Sequence, residues 1–360
     1  MSFLQRLGIT HPIIQAPMAG TSTPAMAAAV SNAGALGSIG LGSVDAEGGR
    51  KAIRAVRAAT AKPFNVNVFV HAPPPAPAAS AARDAAWCAY LRPQFEKYGA
   101  APPSTLKTVF GTFQTDADML AMLLEEKPPV VSFHFGLPAP EAIAALKAYG
   151  AILFASATSL EEAKVCEAAG VDAIVAQGIE AGGHRGIFDP AAPDDQLPTA
   201  SLVRLLSKSL SIPIIAAGGI MDGAGIAAAL RLGASAAQLG TAFAVTTETA
   251  ASAGHKAAIL GEAGRHTRLV AAVSGRPARS AASNWTRMMD QMAKDGVEIA
   301  VYPNAYDLGK QLHAVASAKG DQGWGGFWAG QGAPLAREMG AAELVETLVK
   351  EMKEAPRAKL

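Results

Sequence analysis

Cysteine is nearly absent: Cys88 and Cys166 are the only two in 360 residues, far apart and without metal-ligand spacing. That argues against a disulfide framework or a metal site, and makes a reducing cytoplasm the expected compartment. An excess of charge is missing too, since 31 Lys and Arg stand against 30 Asp and Glu. Such a balance gives no footing to nucleic acid, polyanions or a membrane surface as partners. The opening residues, Met1-Ser-Phe-Leu-Gln-Arg-Leu-Gly8, lack the apolar core of a signal peptide. The charge-free stretch from Pro12 to Val44 is broken by Pro17, Pro24, Asn32 and glycines, so it cannot be the continuous apolar helix of a membrane span. What remains is a chain with 50% hydrophobic residues, ample for a large core.

A repeated unit organises that apolar content: a helix closed by glycine and followed at once by a short apolar strand, the chemistry expected before a buried parallel strand. It occurs at Gly34 before Ala35–Ile39, Gly150 before Ile152–Ala155, Gly170 before Ala173–Ala176 and Gly233 before Ala236–Leu239. Ile13–Met18, Phe64–Val70, Val130–Phe133 and Ile214–Ala217 bring the strand candidates to eight, with helical stretches between most of them, such as Ala46–Ala59 and Gly223–Leu232. Eight strands alternating with helices predict an α/β fold closed as a TIM (β/α)8 barrel, with a doubly wound open sheet as the alternative. Two regions break the rhythm. Residues 71–103 are rich in Ala and Pro and read as an insertion. Residues 250–320, Met-rich and more charged, are expected to form a smaller helical domain over the mouth, so that 1–249 and 321–360 make the barrel. A helix from about Leu335 is expected to return to the barrel wall.

Functional groups of such a barrel belong at the C-terminal ends of its strands. Strand one runs into Ala16, Pro17, Met18, Ala19 and Gly20; strand three carries Asn65 and Asn67; strand four runs into His134. Strand six ends in Gln177 and then Gly178-Ile-Glu-Ala-Gly-Gly-His-Arg-Gly186, a loop that offers both a backbone cradle, with Gly182 and Gly183, and an imidazole, His184. Arg185 and Glu180 read as anchors of that loop. Strands seven and eight end in Gly218-Gly219 and Gly240-Thr241, beyond Gln238, where barrels bind phosphate through glycine N–H groups and a helix N-terminus. The amides of Asn65, Asn67 and Gln177, with the backbone edge from Met18 to Gly20, suit a flat ring placed over the mouth.

The segments Gln15-Ala-Pro-Met-Ala-Gly20, Val131-Ser-Phe-His-Phe-Gly136, Val171 to Gly186 and Ala216-Ala-Gly-Gly-Ile220 resemble the ordered motifs of class I nitronate monooxygenases, formerly 2-nitropropane dioxygenases. The likeness continues in Tyr302-Pro-Asn-Ala-Tyr306 with Lys310 and in Trp328-Ala-Gly-Gln-Gly332. It implies non-covalent FMN and oxidation of alkyl nitronates, notably propionate 3-nitronate, by dioxygen through a flavin semiquinone. It also implies that Tyr302, Tyr306 and Lys310 belong to the substrate pocket, with Lys310 facing a substrate carboxylate. His184 would meet the nitronate oxygens or handle a proton, assisted by His134. FMN-dependent NAD(P)H reductases of quinones or of enoyl-acyl-carrier-protein share this barrel and are the alternative function.

Overall fold

In the computed structural model, which describes residues 1–355, the predicted strands form one parallel sheet. They are β1 (Ile13–Gln15), β2 (Gly37–Gly40), β3 (Phe64–Phe69), β4 (Val130–His134), β5 (Ile152–Ala157), β6 (Ala173–Gln177), β8 (Ile214–Ala217) and β9 (Ala236–Leu239), with a two-residue β7 (Gly183–His184) between the sixth and seventh of them. Hydrogen bonding runs in the order β1-β9-β8-β6-β5-β4-β3-β2. The ends of that row meet. Ile14 bridges Leu36 in parallel, the Gln15 N–H donates to Leu36 O at 2.9 Å, and the Leu36 N–H donates to Ile13 O at 3.0 Å. The cylinder is therefore closed, a TIM barrel rather than an open sheet.

Its strands are buried on both faces because helices cover the outside. Val66 and Val68 of β3 pack in one cluster with Ile53 and Val56 of the Ala46–Ala59 helix and with Met119 and Leu123 of the Ala117–Glu126 helix. The glycine stops work as their positions predict: Gly34, Gly150, Gly170 and Gly233 all have positive φ, between 83° and 111°, a region closed to most side chains. Strand bounds shift by a few residues. β1 stops at Gln15 instead of reaching Met18, since Ala16 to Gly20 turn across the mouth, and β4 extends to His134. The expected helix from Leu335 starts only at Ala341. Pro334 confines the first turn to Ala333–Leu335, and the Glu248 carboxylate takes the Ala341 N–H at 2.9 Å. From there Leu344, Val345 and Leu348 pack against Met26, Val30 and Ile226, completing the helical ring.

Outside the barrel a second core forms from pieces distant in sequence. Trp87, Leu91 and Phe95 of the Pro77–Glu96 helix, inside the Pro-rich stretch, are buried against Trp285, Leu308, Leu312 and Trp324. The segment after β9 also holds two strands that periodicity did not reveal, β10 (Arg268–Val270) and β11 (Ala278–Ser280). With β7 they make an antiparallel sheet in the order β10-β11-β7. Among the described residues no helix is long and apolar enough to cross a membrane.

Candidate active site

The loop after β6 is held by groups that the sequence supplies within and just beyond it. Arg185 is buried; its Nε and Nη2 donate to the two carboxylate oxygens of Asp194 at 2.8 and 2.9 Å, and its Nη1 donates to the carbonyls of Gln177 and Gly178. Such a two-point fork leaves little freedom for the backbone it binds. Glu180 accepts from the Thr199 N–H and hydroxyl, tying the loop to the next helix. The Gln177 amide is likewise engaged, donating to His184 O at 2.9 Å and accepting from the Gly186 N–H at 2.7 Å. On the other side, β7 pairs with β11 through Ala278 opposite His184 and Arg279 opposite Gly183. His184 thus enters the mouth from a loop clamped between the barrel and the β10–β11 strands.

The two predicted imidazoles differ in what they have left to offer. A carbonyl only accepts, so His134 Nε2, 3.3 Å from His184 O, carries the proton, and its Nδ1 accepts from the Ser156 hydroxyl at 3.0 Å. Both nitrogens of His134 are occupied. His184 uses only Nε2, which lies 2.8 Å from Ser274 Oγ. Burial, reinforced by Arg276, pushes both rings far below the ordinary histidine value, His134 to about 4 and His184 to about 3. Both are neutral at pH 7.

These side chains face a cavity of about 390 Å³, within the size range of small-molecule and cofactor sites. Its wall contains Ala16, Pro17, Met18, Ala19 and Gly20, then Asn67 and Gln177, then Gly182, Gly183, Gly218 and Gly219, and also Gln238, Gly240 and Thr241. His134, His184, Tyr306 and Lys310 complete it. Two predicted residues stand apart. Asn65 lies one inward position below Asn67, fully buried, donating to Ser38 Oγ at 3.2 Å while its own Oδ1 has no partner among the described residues. Tyr302 is packed behind the wall, its ring 5.9 Å from that of His184 and 4.8 Å from that of His71, with a hydroxyl that has no partner among the described residues and that burial holds protonated.

The glycine cradle has the form expected of an anion site. β8 and β9 are neighbours, so Gly218-Gly219 and Gly240-Thr241 open side by side, and the N–H groups of Gly219 and Gly240 make no hydrogen bond within the described residues. Positive φ at Gly218 (126°) and Gly219 (71°) turns this backbone edge. The helix after β8 offers less than its place suggests. Asp222 caps the Gly225 N–H and Glu351 takes the Gly223 N–H, so carboxylates from the chain already occupy that N-terminus. The open cradle and the neutral imidazole fit the phosphate and flat ring of a flavin mononucleotide, whereas the amides expected beside the ring are spent elsewhere, Gln177 on its own loop and the Asn67 nitrogen on Ser132.

Sequence reasoning missed several neighbours. Trp328, Gly330 and Gly332 reach the cavity from the tail, close enough that a Cβ on Gly182 would lie 2.5 Å from Gly330 N; the glycine run around Gln331 was their signal. Phe69 and Phe110 form an aromatic wall, and the Lys310 ammonium sits 4.7 Å over the Phe110 ring and 4.9 Å over that of Tyr306. His255 lines the cavity and binds Trp328 O at 2.9 Å. No local pattern marks Phe69, Phe110 or His255.

A strand-end cradle, a clamped imidazole and an aromatic mouth within a closed barrel define the class: a TIM-barrel protein with a candidate cofactor site at the C-terminal rim. The chain belongs to the nitronate monooxygenase family of oxidoreductases, whose family model matches residues 2–351. It is 59% identical over 354 residues to the nitronate monooxygenase of Paraburkholderia phytofirmans, covering 98% of this chain and 95% of that one. Against the nitronate monooxygenase of Pseudomonas aeruginosa it is 52% identical over 98% of this chain and 99% of the relative. Among solved structures, nitroalkane oxidase from Streptomyces ansochromogenes superposes with a TM-score of 0.88 at 40% identity, covering 98% of both chains. FabK from Thermotoga maritima superposes with a TM-score of 0.73 at 32% identity, covering 97% of this chain and 95% of that one.

Proposed function

We propose that this enzyme holds FMN non-covalently in the barrel mouth and oxidises alkyl nitronates, propionate 3-nitronate among them, with dioxygen to a carbonyl product and nitrite or nitrate. The observation that carries the reading is the convergence of the unpaired N–H groups of Gly219 and Gly240 with the clamped His184 on one cavity. The phosphate would lie across Gly218, Gly219, Gly240 and Thr241; Asn67, Gln238 and the Ala16–Gly20 edge would bound the ring. The chemistry that FMN supplies when bound is electron transfer between nitronate and dioxygen.

A nitronate is already deprotonated, so the protein's task is to bind an anion, orient it and manage one proton. Lys310, exposed at the rim but held over two aromatic faces, would pair with a substrate carboxylate. Tyr306 and the Phe69–Phe110 wall would pack the alkyl part. An anion beside the neutral His184 raises that ring's proton affinity, so it would take up a proton at its free nitrogen and share it with a nitronate oxygen. His134, with both nitrogens engaged, would keep the loop in register. We assign residues 250–320 to a substrate-side cap, to which the Pro77–Glu96 helix contributes packing.

The test is direct. Purified protein is expected to show an oxidised flavin spectrum and rapid oxygen uptake on addition of propionate 3-nitronate. Fast anaerobic bleaching by NADH or NADPH, without nitronate turnover, would make it the reductase instead. A colourless protein that takes up no FMN would remove the reading altogether.

A further inference from the structure

We infer that Ser274 is a positioning residue that fixes His184 as the Nε2–H tautomer, so that the lone pair of Nδ1 faces the cavity. The inference rests on the proposed function only for its catalytic consequence; the tautomer is a property of the fold.

Ser274 lies on the turn between β10 and β11 and is fully buried. Its position is over-determined. Its own N–H donates to Ala271 O at 3.2 Å. The next residue, Gly275, has φ 92° and is pressed so closely against the 300–302 backbone that a Cβ would sit 2.6 Å from Tyr302 N and 2.8 Å from Ala300 O. Two residues further, Pro277 O accepts the Arg185 N–H at 2.9 Å, and Ala278 pairs with His184. One short hairpin therefore grips both the backbone and the ring of His184.

A serine hydroxyl has one proton to give and two lone pairs with which to accept. Ser274 Oγ has three neighbours: Arg276 O at 3.2 Å, the Arg276 N–H at 3.3 Å and His184 Nε2 at 2.8 Å. Arg276 O can only accept and Arg276 N can only donate. If the hydroxyl donates to the carbonyl, its lone pairs take the Arg276 N–H and a proton on His184 Nε2, and all three contacts are satisfied. The reverse arrangement, with the hydroxyl donating to His184, withholds the hydroxyl proton from the buried Arg276 carbonyl, an unfavourable loss. Nε2 is therefore protonated at rest. Nδ1 has no hydrogen-bond partner among the described residues while the ring lines the cavity. Proton uptake and release by this imidazole then occur at Nδ1 without ring rotation, with Nε2–H resting on Ser274 throughout. The groups facing the ring, among them Arg276, His71 and His134, add no acidic partner that would favour the other tautomer.

Two-bond proton–nitrogen correlation spectra of the FMN-loaded protein, with histidines labelled in 15N, read the tautomer directly. The His184 signals are identified by their loss in His184→Asn. The wild type is expected to show the Nε2–H pattern. In Ser274→Ala the two ring nitrogen signals are expected to converge as tautomers exchange, and kcat for a nitronate to fall about tenfold with KM little changed, the effect of one lost hydrogen bond. Ser274→Thr, which keeps the hydroxyl, is expected to restore both. An Nδ1–H pattern in the wild type, or Ser274→Ala with wild-type signals and kcat, would overturn the inference, and the wild-type spectrum decides even if the alanine variant does not fold. A protein with the Nε2–H pattern but no nitronate turnover would instead defeat the functional reading and leave the tautomer standing.

Discussion

The barrel and the second core outside it are assembled on opposite principles. Most neighbouring barrel strands follow one another along the chain with helices between them, in a parallel ladder that alternates apolar segments with glycine-stopped helices. The second core joins Trp87, Trp285 and Trp324, from three separate stretches of chain. The cavity lies where the two meet: its glycine cradle is carried by β8 and β9, whereas the imidazole is held from both sides. On the proposed function, the difference makes cofactor retention and substrate chemistry separable by mutation.

The largest effect is expected at the cradle. Gly219→Val places a branched side chain at φ 71°, with its Cβ 3.2 Å from that of Glu180, and should abolish FMN binding and all turnover with far-ultraviolet ellipticity preserved. Retained flavin colour after gel filtration would relocate the phosphate. At the shared loop, His184→Asn should keep the flavin spectrum while lowering kcat/KM for a nitronate by about 10² to 10³, measured by oxygen uptake. On the cap side, Trp87→Ala should cost about 3–5 kcal/mol in denaturant unfolding and weaken nitronate turnover, yet leave FMN bound; loss of flavin would show that cap and barrel are one unit. Lys310→Met is smaller, raising KM for a carboxylate-bearing nitronate about tenfold while barely changing that for ethyl nitronate, a difference of about 1.4 kcal/mol.

Acid should act at the junction first. His71 and His134, pushed down to about 4, and His184, to about 3, owe their shifts chiefly to burial, against an ordinary value of 6.5. Below pH 6.5 the unfolded chain binds protons that these buried rings refuse, so stability is full above 6.5 and declines progressively as pH falls toward about 4. Urea midpoints at pH 7.5 and 5.0 measure it; equal midpoints would mean the rings titrate normally in the folded protein.

How much was legible in the sequence follows the same division. Strands, helix stops and the glycine cradle are written in short-range patterns, and β8, β9 and the Ala46–Ala59 helix match their predicted bounds. The anchoring of the loop by Arg185 and Glu180 was also readable, because an arginine and a glutamate in a glycine-rich turn need partners. The β10–β11 hairpin was not: three-residue strands carry too little periodicity to stand out from a helical neighbourhood. Ser274 was hidden for the same reason, since a lone serine announces nothing until the fold brings it 2.8 Å from an imidazole 90 residues away. The Pro77–Glu96 helix has no strong apolar face in its own sequence, and its burial is decided by residues some 200 positions later.

The join between β1 and β2 has a mechanical meaning. Where the other neighbouring strands share ladders, this one relies on a single bridge and on Gln15, whose Oε1 takes the Ser38 N–H at 2.8 Å, a side chain standing in for a missing rung. It is the zip of the cylinder, and Gln15 is its pull. Amide deuterium should enter at Leu36 and Ser38 before it enters any other staves, and shortening Gln15 to alanine should let the staves part there.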